Sequence, residues 1–236
     1  MMRTIVLALC LAAALPAAAQ ESLSATDPLG AATLFADEAE CLKAAQESKA
    51  DAAGLFRAGR YLMAQAYLVQ SKSGNEHRKA FELCKNAYGF FETAFRLKPE
   101  VALYAAWSGS ARLLSCAYGS TFDTIQNGAK GVASFKTAIK LEPEDPDLRL
   151  LRARAYVYLP RAYYPDCDEL ILEDSGKIIS SSAQARAEQG SVLEEALCYR
   201  CIAFKQSDKA DEAAAALAQI DPNSRFAKLA GDWRKR

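Results

Sequence analysis

AYGFFETAFRLKP, residues 87–99, and GVASFKTAIKLEP, residues 131–143, are two versions of one pattern. A small residue, an aromatic, an alanine and a proline stand at the same offsets: Ala87, Phe91, Ala94 and Pro99 in the first, Gly131, Phe135, Ala138 and Pro143 in the second. The first three of each set share one face of an α-helix. The proline ends that helix, because it lacks an amide hydrogen and its ring clashes with the preceding turn. A weaker third copy, Ala210, Ala214, Leu217 and Pro222, closes with AQIDP. Each of the first two stops is followed by a fresh helical stretch with a small residue ten positions past the proline, Gly109 and Ala153.

The same helical texture extends outward in both directions. Ala, Leu, Glu, Lys and Arg with apolar residues at three- and four-residue spacing dominate after residue 28, and no β-branched run alternates as a strand would. The periodicity predicts helices over 29–47, 50–70, 77–97, 101–118, 121–141, 146–160, 166–181, 190–205, 208–220 and 223–233. Asp27-Pro28 and Asp145-Pro146 read as helix starts with proline in the first turn, and Ser71 to Asn75 reads as a loop. The fold class is all-α.

The repeated helix-and-stop resembles the tetratricopeptide repeat (TPR), in which two antiparallel helices pack through small residues at their crossing. The likeness is good over 78–160, fair over 190–222 and poor elsewhere. It implies a TPR-like α-solenoid over 20–236 as a single domain, capped by a C-terminal helix, 223–233, that holds Trp233. Gly109 and Ala153 would admit the paired helix closely, and Phe91 and Phe135 would fill the space between successive pairs. Pro99 and Pro143 stand 44 residues apart, longer than the standard repeat of about 34, so the helices or loop near 117–130 are lengthened. The resemblance also implies a concave face. On it would lie Leu103, Ala106 and Ser110 from one unit and Asp147, Leu150, Arg154 and Val157 from the next, a surface for a protein or peptide partner. Tyr158, Arg161, Tyr163 and Tyr164 would edge that groove, broken by Pro160 and Pro165.

Composition narrows the function classes. The chain has 236 residues, 51% of them apolar, with 29 basic against 29 acidic side chains. That supports a buried core and excludes a disordered or collagen-like chain. Zero formal charge offers no electrostatic reason to expect a nucleic acid partner. The N-terminus reads as a secretory signal: Arg3, an apolar stretch from Thr4 to Leu15, then Pro16 and Ala17 to Ala19 before Gln20. That stretch is too short to span a bilayer, which needs about 20 apolar residues. Cleavage after Ala19 would release a chain into the periplasm or the medium, with no membrane span. It would keep Cys41, Cys84, Cys116, Cys167, Cys198 and Cys201, an even set that permits three disulfides in an oxidising compartment; at least one bridge is expected.

Few residues suggest chemistry. Cys198-Tyr199-Arg200-Cys201 has the C-x-x-C spacing of thiol–disulfide oxidoreductases, but it falls inside a helix with no strand leading into it, and Ile202 stands where a haem motif needs histidine. His77, the single histidine, sits at a helix start and reads as a surface or capping residue. Glu142, Glu144, Asp145 and Asp147 read as a solvated turn, and so do Asp166, Asp168, Glu169, Glu173 and Asp174, which lack calcium-loop spacing. No nucleophile elbow, P-loop or dinucleotide fingerprint is present, and no cofactor or metal is implied. The leading reading is a non-enzymatic exported scaffold. The alternatives are a small-molecule or transporter-associated binding module, with a pocket between 117–130 and the tyrosine-rich stretch, and an oxidoreductase using Cys198 and Cys201.

Overall fold

Asp145 accepts hydrogen bonds from the amides of Asp147 (2.7 Å) and Leu148 (3.2 Å), so the chain turns from the Pro143 stop directly into a helix with Pro146 in its first turn. Ser120 opens the preceding helix with a capping box: its hydroxyl accepts from the Asp123 amide at 3.2 Å, and the Asp123 carboxylate accepts from the Ser120 amide at 3.0 Å. The computed structural model describes residues 35–47, 49–70, 76–182 and 190–233. Among them are ten helices and no strand: α1 (Phe35–Gln46), α2 (Ala52–Gln70), α3 (Glu76–Leu97), α4 (Ala102–Ser115), α5 (Thr121–Leu141), α6 (Pro146–Tyr156), α7 (Cys167–Ser182), α8 (Gly190–Gln206), α9 (Ala210–Leu217) and α10 (Arg225–Asp232). The secretory segment, Cys10, the Asp27-Pro28 start and the Ser71–Asn75 loop lie outside the described residues.

Where the repeat implies one domain, the described chain divides into two compact units, one ending at Pro99 and the other beginning at Glu100. In the first, α2 packs on α1 and α3. Ala80, Cys84, Ala87, Phe91 and Ala94 form the buried stripe of α3. A Cβ added at Gly59 would come within 2.5 Å of the Phe91 ring, so the absence of a side chain there is what lets α2 and α3 approach. The Phe56 ring lies beside it, with centroids 5.7 Å apart.

In the second unit the helices pair as α4 with α5, α6 with α7, and α8 with α9, and α4, α6 and α8 touch in succession. Gly109 and Gly131 cross face to face. A Cβ on Gly109 would stand 2.8 Å from the Phe135 ring and 2.9 Å from the Gly131 carbonyl, and one on Gly131 would strike Leu113 at 2.5 Å. Phe135 is fully buried, which contributes roughly 1.5–3 kcal/mol. Its ring also meets Tyr156 of α6 edge-on at 5.8 Å. Phe91 and Phe135 thus fill the crossing inside their own helix pairs, and Phe135 reaches the next pair as well. α10 closes the unit against α8: Lys205 donates to the carbonyls of Ala230 (2.6 Å) and Gly231 (3.1 Å), and Trp233 meets Tyr158 edge-on.

The third sequence copy does not keep the register of the other two. Ala210 and Ala214 are exposed, while Ala213, Ala216 and Ile220 are buried. α9 is only eight residues long, and its buried side follows a spacing of three and four that starts three positions later.

Candidate functional site

Helix α6 reads RLLRARAY over residues 149–156, three arginines among apolar residues, and every one of those side chains is buried. A buried guanidinium requires an acidic partner, because desolvation otherwise costs several kcal/mol. Each arginine has one. Asp174 of α7, with no exposure, accepts from Arg149 Nη1 at 3.0 Å and from Arg152 Nε and Nη2 at 2.6 and 2.7 Å. Burial works against the charge on Arg152, but Asp174 more than restores it, leaving the guanidinium above its ordinary pKa. Arg154 crosses to α8, where Glu195 accepts at 2.7 Å and also receives the Tyr199 hydroxyl at 2.7 Å. Burial, then the neighbouring Glu195, holds the Tyr199 phenol well above its usual range. A further arginine, Arg161, caps the end of α6 by donating to the Leu159 (2.7 Å) and Tyr156 (3.2 Å) carbonyls and pairs with Asp168.

These pairs overturn the reading of Asp168 and Asp174 as members of a solvated turn: both are buried and ion-paired. The sequence does carry a signal for this burial. Asp174 stands between Ile171 and Ile178 at the three- and four-residue spacing of the buried stripe of α7, a core position occupied by a carboxylate.

The residues placed on a concave face are mostly interior. Ala106, Ser110, Leu150, Arg154 and Val157 are buried, and Leu103 and Asp147 are half-buried. In α4 every side chain from Tyr104 onward is buried, so that helix presents packing rather than a groove. The cysteines form no bridge among the described residues, against the expectation of at least one. Cys198 and Cys201 are buried, and burial pushes both thiols up, the opposite of what an attacking thiolate needs. Burial likewise raises Cys116 and Cys167 to about 12. Cys84 is buried and Cys41 half-buried. His77 is exposed in the first turn of α3. No cluster of acids, cysteines and histidine among the described residues is arranged to hold a metal, and no helix among them is long and apolar enough to cross a membrane.

The structure does bring together two stretches singled out separately, the lengthened segment near 117–130 and the tyrosine-rich turn. The hydroxyl end of Tyr164 lies against Gly128 of α5, close enough that any side chain at Gly128 would collide with it, and that hydroxyl donates to the Ile125 carbonyl at 3.2 Å. Around this clamp lie three exposed apolar side chains: Phe122 (72% exposed), Ile125 (49%) and Tyr163 (49%). Phe122 and Ile125 are one turn apart on the outer face of α5. Three large apolar side chains of this region are thus left in water. Tyr163 was expected at a groove edge, whereas Phe122 and Ile125 carry no such signal in the sequence, because an exposed and a buried apolar side chain read alike until the helix has a neighbour. No family model matches the chain, and neither a curated protein nor a solved structure is similar to it.

Proposed function

We propose that this chain is an exported, non-enzymatic scaffold of the tetratricopeptide kind that holds a protein or peptide partner in the cell envelope. The observation that carries the reading is the exposed Phe122, Ile125 and Tyr163 on the Tyr164–Gly128 clamp. Support also comes from how the charged groups of α6 are used: Arg149, Arg152 and Arg154 are bound in buried ion pairs and are committed to the fold. The partner therefore docks on the outer face of α5 and the adjoining turn, not on the interior faces of α4 and α6. Export rests on the basic, apolar and A-x-A pattern of the first nineteen residues.

The test is site-specific photo-crosslinking in intact cells with a benzoylphenylalanine at Ile125, and at exposed Ala215 of α9 as a control. One identified protein adduct is expected from position 125 and none from 215. Identical adducts at both positions, or none at either, would remove the reading.

A further inference from the structure

The outer face of α5 is one continuous stripe at three- and four-residue spacing: Phe122, Ile125, Ala129, Ala133, Lys136 and Lys140, all exposed. It is apolar at its start, flat through the two alanines and basic at its end. Lys130 flanks it. Lys130, Lys136 and Lys140 make no ion pair and no side-chain hydrogen bond among the described residues. The single acid of α5, Asp123, is committed to the capping box at the far end. Local positive charge on this face is thus unspent, although the whole chain is balanced at 29 basic and 29 acidic residues.

Resting on the scaffold reading, we infer that the outer face of α5 binds an acidic peptide segment with an apolar anchor, the anchor seated on Phe122 and Ile125 and its carboxylates on Lys136 and Lys140. At 1.5 Å per residue, Ile125 and the midpoint between Lys136 and Lys140 lie about 20 Å apart along the helix. An extended peptide covers that distance in about six residues, at roughly 3.3 Å each. The alanines between leave room for its backbone to lie close to the helix. Charge complementarity favours a peptide over an anionic membrane. Glu142 and Glu144, both exposed, follow directly on the basic end. A peptide can stop short of them, whereas a continuous anionic surface would meet them.

The experiment is fluorescence anisotropy on the mature full-length protein with a labelled synthetic peptide carrying a Leu-Phe anchor, about six Ser and Gly residues and a run of Asp and Glu. Micromolar binding is expected, weakened about tenfold or more by Lys136→Glu with Lys140→Glu and again by Phe122→Ser, and reduced by added salt. All three substitutions are at exposed positions, and an unchanged melting temperature confirms intact folding. Binding indifferent to the lysine reversals overturns the inference. So does absence of peptide binding, including the case where the protein instead sediments with phosphatidylserine vesicles. If the peptide fails while the Ile125 crosslink still captures one partner, the acidic chemistry falls and the scaffold reading stands. If both fail, the scaffold reading falls as well.

Discussion

Helix pairs α4/α5 and α6/α7 stand side by side in one unit and close their interfaces by opposite means. In the first, Gly109 and Gly131 remove side chains from the crossing and Phe135 fills what remains, so contact is a matter of shape. In the second, a fully buried Asp174 holds Arg149 and Arg152, so contact is a matter of charge. The difference shows that one architecture tolerates either solution, but with different failure modes. An apolar crossing degrades by a void or a clash, while a buried ion pair fails when one member is removed.

Asp174→Ala is the most severe test of that contrast. It leaves Arg152 buried without its acceptor and Arg149 with only the Pro143 carbonyl and Glu173 at 3.7 Å, and should cost about 3–5 kcal/mol, read as a fall in the urea midpoint. Replacing Arg149, Arg152 and Asp174 together by Met, Met and Leu should recover most of the loss, because matched apolar groups need no partner. If the triple variant is as unstable as the single one, the pair is doing more than neutralising itself.

A smaller effect is expected on the apolar side. Gly109→Ala gains about 1 kcal/mol of helix propensity but forces a methyl group against Phe135 and the Gly131 carbonyl, and overpacking of that kind costs about 1–3 kcal/mol. The net result should be destabilising. Gly89→Ala, on an exposed face of α3 with nothing within 4 Å, should instead stabilise by up to about 1 kcal/mol. The same substitution with opposite signs, measured by thermal melts, isolates the crossing as the cause.

The smallest effect is electrostatic and depends on pH. The Asp147 carboxyl is pushed above its ordinary value of 3.8, first by burial and then by the charge of Asp145, with Arg154 opposing and Glu195 adding. A carboxyl raised in the folded state holds its proton more tightly there than in the unfolded chain. Its contribution to stability is therefore full below 3.8 and is lost as pH rises through the raised value. At pH 7 the ionised group weighs against folding. Asp147→Asn should accordingly raise the melting temperature at pH 7, with the advantage shrinking as the pH approaches 3.8. An advantage that persists unchanged in acid would show that ionisation is not its source.

Much of this molecule is local and so was legible in the sequence. Apolar spacing, the Asp145-Pro146 start and the Pro99 and Pro143 stops act within one or two turns of backbone, and they located the ten helices found among the described residues and their all-α class. Gly109 was also legible, because a missing side chain announces a close helix crossing, whereas Phe135 was expected between successive pairs and packs on Gly109 within its own pair as well as on Tyr156 of the next. The third copy shows the limit: Ala210 and Ala214 match in type, but alanine is small enough to suit either face, and tertiary packing buried Ala213 and Ala216 instead. Only the tertiary structure could pair Arg152 with Asp174, Arg154 with Glu195 and Tyr164 with Gly128, since these residues lie on different elements and their charge or bulk does not name a partner. It also decided which large apolar side chains remain exposed. Whether an apolar residue is core or contact depends on what lies over it, and for Phe122 and Ile125 that is a property of neighbouring helices rather than of α5 itself.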